Sequence, residues 1–79
     1  MRFTYDPRYS IAYIRFSGKR TGVKTIRVSD ELNVDLSPDG TIYGIELLNA
    51  NEQLRREDTG KFLLINEATG ERIELPLTL

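Results

Sequence analysis

Short runs in which apolar and polar side chains alternate, each closed by a cluster of Pro, Gly, Asp or Ser, dominate this chain. A two-residue period sends successive side chains to opposite faces of a strand, so the pattern commits the chain to β-sheet. Phe3 and Tyr5 alternate with Arg2 and Thr4 until Asp6-Pro7 ends the run, because proline has no amide to donate. Residues 11–17 set Ile11, Tyr13 and Arg15 against Ala12, Ile14 and Phe16. A polar, glycine-bracketed turn at 17–22 precedes the strand VKTIRV (23–28), and Ser29-Asp30-Glu31 breaks it before LNVDL (32–36) and TIYGIELL (41–48). Strands this short, joined by short turns, read as an antiparallel meander.

The period changes at Asn49. Asn49 with Glu52 three residues on has the spacing of a capping box, and residues 50–58 read as a short helix stopped at Thr59-Gly60. Its apolar stripe is only Ala50 and Leu54. KFLLIN (61–66) then resumes a strand, Glu67 to Gly70 turns the chain, and residues 72–75 alternate again, which makes a terminal β-hairpin. The expected fold is mainly β, or α+β if the helix is counted: a meander, one short helix and a C-terminal hairpin in a single domain over residues 1–79.

A chain of 79 residues without cysteine has no disulfide and no thiolate metal site to staple a small core. Self-association is therefore the expected source of extra stability, with a homodimer favoured and a heterologous protein partner the other route. No apolar run approaches the ~20 residues needed to span a bilayer, and the first ten residues do not resemble a secretion signal. No membrane contact and a cytoplasmic address are expected.

Charge is unevenly spread. Residues 1–27 carry seven basic residues and one acidic, net +6, whereas residues 28–79 carry four basic and eleven acidic, net −7. A basic third could be an electrostatic footprint for nucleic acid, with Arg15, Lys19, Arg20, Lys24 and Arg27 as its candidate residues. Apolar strand residues separate most of these charges, so mutual neutralisation of the two halves is the preferred reading.

The stretch DLSPDGTIYGIE (35–46) has oxygen-bearing side chains at positions one, three and five, glycine at six and glutamate at twelve, the spacing of an EF-hand calcium loop. Ser37-Pro38-Asp39-Gly40 also suits a type I turn followed by a left-handed glycine. In the hairpin that this turn implies, Leu36 faces Ile42, Asp35 faces Tyr43 and Leu32 faces Glu46. Asp35 and Glu46 then leave opposite faces and cannot share an ion. The flanks are rich in β-formers where an EF-hand needs helices. The same register puts apolar residues on both faces: Leu32, Val34, Leu36, Ile42 and Leu48 on one, Tyr43, Ile45 and Leu47 on the other. Both would then need covering, and Glu46 would need a partner on an apolar face.

Tyr5-Asp6-Pro7, Ala12-Tyr13-Ile14, Asn33-Val34-Asp35, Asp39-Gly40 and Gly44-Ile45-Glu46-Leu47-Leu48-Asn49-Ala50 resemble the small prokaryotic domain of unknown function 2283 over residues 3–50. That family reads Y-D-P, alanine-aspartate, L-Y-I, V-D, an acidic turn with glycine and G-I-E-I-L-x-A; here Tyr9-Ser10 stand in place of alanine-aspartate. The resemblance implies a compact β-rich domain and brings no activity with it. Some relatives look like the antitoxin-type partner of a small ribonuclease-like toxin, judged by how such genes pair. Residues 51–79 fall outside the resemblance.

Without histidine or cysteine the commonest general base and the strongest nucleophile are missing, and the carboxylate pairs are adjacent strand residues, which point apart, or sit solvated at turn tips. No catalytic residue, cofactor site or metal site is assigned. The expected role is a non-enzymatic protein-interaction module. Its candidate interface residues are Phe62, Leu63, Leu64 and Ile65 on the terminal strand, where an unpaired apolar edge invites pairing, with Tyr43, Ile45 and Leu47. A nucleic-acid-binding domain using the basic third is the alternative.

Overall fold

A computed structural model of the chain describes residues 1–16, 21–56 and 60–77. Seven strands and one helical turn follow in the order β1 (Arg2–Asp6), β2 (Ile11–Arg15), β3 (Lys24–Ser29), β4 (Leu32–Leu36), β5 (Ile42–Leu48), α1 (Ala50–Gln53), β6 (Lys61–Ile65) and β7 (Arg72–Pro76). The first five form one antiparallel sheet, and β6 and β7 form a separate two-stranded hairpin. Among the described residues no helix is long and apolar enough to cross a membrane.

Strand order in the large sheet is β1-β2-β5-β4-β3. Strands β3 to β5 run as a meander, but β2 pairs with β5 instead of with β3, which closes a Greek key. Alternation along a strand says which face a residue takes. It carries no information about which strand lies alongside.

The turn chemistry at 37–40 is as the sequence implies. Gly40 N–H donates to the Ser37 carbonyl at 2.9 Å, Ser37 N–H donates to the Thr41 carbonyl at 2.8 Å, and Gly40 is left-handed at φ 88°. One residue further the expected register fails. Leu36 faces Ile42, but Asp35 faces Gly44, Asn33 faces Glu46 and Leu32 faces Leu47. Tyr43 is the extra residue of a β-bulge, and a one-residue slip moves every later side chain to the other face.

The slip gives the sheet one apolar and one polar face, not two apolar ones. Phe3, Ile14, Ile45, Val34 and Ile26 are successive cross-strand partners on the apolar side. On the other side, Thr4, Tyr13, Glu46, Asn33 and Arg27 form the corresponding row. Asp35 and Glu46 therefore share a face. The face argument against a calcium loop falls, while the flanks of that loop are the strands β4 and β5.

Helix α1 is shorter than the sequence implies, and residues 57–59, which include Thr59, lie outside the described residues. Asn49 is left-handed at φ 54° and its side chain caps no backbone amide; it donates instead to Glu52 Oε2 at 2.9 Å. The first helical amides are met from another part of the chain. Ala50 N–H donates to the Ser10 carbonyl at 2.8 Å and Asn51 N–H to Ser10 Oγ at 3.0 Å. Asn51 also accepts from Tyr5 Oη at 2.6 Å and donates to the Pro7 carbonyl at 3.0 Å, tying α1 to the β1–β2 turn.

Candidate functional site: a locked polar face and an open apolar layer

The two faces of the sheet are finished very differently. On the polar face Asp35 is 6% exposed, and its carboxylate accepts from Tyr13 Oη at 2.6 Å and from Thr25 Oγ1 at 2.5 Å. Its burial is made tolerable by these hydroxyl donors, since a carboxylate removed from water without partners is costly. The Tyr13 ring reaches Asp35 by crossing β5 at Gly44. A Cβ at position 44 would collide with Oη and Cζ of Tyr13, so only glycine leaves the crossing free. Beside it Asn33 Nδ2 donates to Glu46 Oε1 at 3.0 Å. Glu46 is thus half-buried on the polar face with a partner, not stranded on an apolar one.

Four strands meet in this cluster: Tyr13 from β2, Thr25 from β3, Asp35 from β4 and Gly44 from β5. The residues that carry the family resemblance gather here and at α1, where Tyr5 and Pro7 hold Asn51. The Tyr9-Ser10 departure falls at the same joint. Ser10 Oγ accepts from a helical amide, a bond that an aspartate oxygen there could also accept.

The apolar face is only partly roofed. The β6–β7 hairpin turns Phe62, Leu64, Ile73 and Leu75, two cross-strand pairs on one side, towards it. The rings of Phe3 and Phe62 meet at 6.2 Å between centroids. Around that contact Ile14, Phe16, Leu64, Leu75 and Leu77 line an apolar groove of about 260 Å³ between sheet and hairpin. Leu64 and Ile73 each remain 57% exposed.

Of the sequence-based interface residues, Phe62 and Leu64 line the groove, while Leu63 and Ile65 take the other face of the hairpin with their cross-strand partners Glu74 and Arg72, where Leu63 is half-buried. Ile45 and Leu47 are half-buried on the apolar face of the sheet, and Tyr43 is 6% exposed, within the fold and not at its surface. Met1, Phe3, Ile14, Phe16, Leu75 and Leu77 also line the groove and are not among the residues that the sequence singles out; Phe3, Ile14, Phe16 and Leu75 sit on apolar positions of alternating runs. The basic candidates divide. Arg15 and Arg27 share the polar face, with Arg27 paired to Asp30 at 2.7 Å, whereas Lys24 takes the other face and Lys19 and Arg20 lie outside the described residues.

Two exposed carboxylates close turns. The side chain of Arg8, bonded to Asp6 at 3.0 and 3.1 Å, holds that carboxyl below its ordinary value. The Thr41 hydroxyl, and then its amide, do the same for Asp39 at 2.7 and 3.0 Å.

Fold and surface together define a small antiparallel β-domain with a polar lock on one side and an unfinished apolar layer on the other. The chain belongs to the family described as protein of unknown function (DUF2283), whose profile matches residues 2–51. That span covers β1 through the start of α1 and leaves β6 and β7 outside it. No curated protein and no solved structure matches the chain.

Proposed function

We propose that this chain is a non-enzymatic protein-interaction module that self-associates through its apolar layer. Surface area carries the reading. The chain exposes 6056 Å², against roughly 4,900 Å² for a compact monomer of its mass. Its radius of gyration is 14.1 Å, against about 12 Å for a compact domain of this length. The shape is a slab, 36 × 33 × 19 Å. Among the described residues the buried apolar side chains are Ala12, Tyr43 and Ala50, and no large side chain is completely enclosed. The surplus of roughly 1,100 Å² compares with the ~800 Å² that each partner buries in a standard protein interface.

The carboxylates of the polar face support the same reading. Asp35 and Glu46 are engaged by Tyr13, Thr25 and Asn33, bonds that hold the sheet together. Sedimentation equilibrium of the full chain at micromolar concentration tests the proposal. A dimer is the expected result, and a strictly monomeric chain across that range overturns it.

A further inference from the structure

We infer that the second copy docks on the free edge of β6, antiparallel about a two-fold axis at Leu63, so that two hairpins join into one four-stranded sheet. This rests on the self-association reading above and specifies its geometry.

Backbone parity comes first. Leu77 N–H donates to the Gly60 carbonyl at one end of the hairpin and Asn66 N–H to the Glu71 carbonyl at the other, each at 2.8 Å. Hydrogen-bonded pairs alternate along an antiparallel ladder, so Phe62–Leu75 and Leu64–Ile73 are the bonded pairs between these ends. The N–H and C=O groups of Lys61, Leu63 and Ile65 therefore face outward.

The other described edges are interrupted. On β7 the outward residues are Arg72, Glu74 and Pro76, and proline has no amide to give. β3 bears Lys24 and Arg27 and is broken by a bulge between Arg27 and Ser29, and β1 runs directly into Pro7. Charges, bulges and prolines are what discourage edge pairing. The edge of β6 carries only Lys61 among such devices.

The edge is also self-complementary. A two-fold axis at Leu63, the central residue of β6, sets Leu63 against the partner's Leu63 and Phe62 against the partner's Leu64. Lys61 then meets the partner's Ile65. Phe62, Leu64, Ile73 and Leu75 of both chains fall on one continuous apolar face. A lone two-stranded hairpin is marginal in water, whereas three or more strands with an apolar face can hold. Pairing thus supplies what the exposed hairpin lacks.

Single-cysteine variants test this, since the natural chain has no cysteine. Bonded antiparallel partners stand about 5.5 Å apart at Cα, within the range a disulfide spans. Under mild oxidation Leu63→Cys should give a reducible covalent dimer as the main species. Ile73→Cys, about 16 Å from its symmetry mate across three strand spacings and two residues along the strand, should stay unlinked. Mixed Lys61→Cys and Ile65→Cys chains should link to each other and not to themselves, which checks the register without touching Leu63. A chain that sediments as a dimer but fails to cross-link at Leu63 and in the mixed pair overturns the edge pairing and leaves self-association standing. Equal cross-linking of Leu63→Cys and Ile73→Cys also overturns it, as random collision. A monomer that never cross-links overturns both.

Discussion

The five-stranded sheet and the C-terminal hairpin are both built from short antiparallel strands rich in apolar residues, yet they are secured by different means. In the sheet, side-chain bonds tie non-adjacent elements together: Tyr13 of β2 reaches across β5 to Asp35 of β4, and Tyr5 of β1 reaches Asn51 of α1. In the hairpin, the side-chain ties among the described residues are internal to it. Lys61 pairs with Glu74 at 3.1 Å, and Asn66 and Thr69 accept turn amides. Its described link to the sheet is apolar, Phe62 against Phe3. Directional bonds to a buried carboxylate demand one register and one strand order. Apolar contact is non-directional and can be met by any surface of suitable shape, including another copy. The locked part lies within the family's span, and the open part lies beyond it.

Breaking the lock should have the largest effect. Gly44→Ala drives a Cβ into the Tyr13 ring, and the ring can retreat only by giving up its bond to Asp35. Overpacking combined with loss of a hydrogen bond to a buried charge should cost about 3 kcal/mol, roughly 15 °C in Tm at fixed protein concentration. Tyr13→Ser removes the obstacle, so adding Gly44→Ala to it should be close to neutral or stabilise by up to about 1 kcal/mol, as a glycine-to-alanine change does at an unstrained site. Full additivity in that thermal-melt cycle would mean that the glycine is needed for some reason other than the tyrosine.

Much of this contrast can be read from residues, but not all. Ser37-Pro38-Asp39-Gly40 specifies its turn because each residue suits one local backbone conformation. The strands and the terminal hairpin follow from alternation for the same local reason. The bulge at Tyr43 is different. It aligns Gly44 with Asp35 and lets Tyr13 cross, a condition set by a third strand whose place beside β5 no local pattern encodes. Missing that single residue reversed the faces of β5, put Glu46 among apolar neighbours and made the sheet look apolar on both sides. The short helix was misjudged through a similar long-range cause. The Asn49–Glu52 spacing suits a capping box, but Ser10, some forty residues earlier, meets the first helical amides instead. The groove was only half legible, since the FLLI run stands out while Phe3, Ile14 and Phe16 join it through tertiary packing.

The open region should respond in the opposite sense to the lock. Leu64→Ser removes an apolar side chain that is already mostly in contact with water, so the isolated chain should lose only about 1 kcal/mol or less. If the hairpin is a docking element, the same change should weaken self-association by at least about tenfold, near 1.4 kcal/mol. Sedimentation and the concentration dependence of Tm separate the two quantities. A large fall in monomer stability with unchanged association would place Leu64 with the lock and leave the hairpin no docking role.

The smallest expected effect lies at the turn between β4 and β5, where acid titration separates two kinds of turn carboxylate. Asp39 is held below its ordinary value of 3.8 first by the Thr41 hydroxyl, and Asp6 first by the Arg8 side chain. For a carboxyl whose folded value is depressed, stability is fully present above the unfolded value and is lost as pH falls through the folded one. Both contributions should therefore fade below about pH 4, and both should be slight because the groups are exposed. Salt distinguishes them. The Asp6–Arg8 pair brings a full opposite charge and should be screened at high ionic strength, whereas the bonds from Thr41 come from neutral donors. Asp39→Asn should thus remove an acid-sensitive increment of Tm that survives added salt, while Asp6→Asn should remove one that salt has already diminished. An Asp39 increment that disappears in salt would show that long-range charge, not the hydroxyl and amide of Thr41, lowers its pKa.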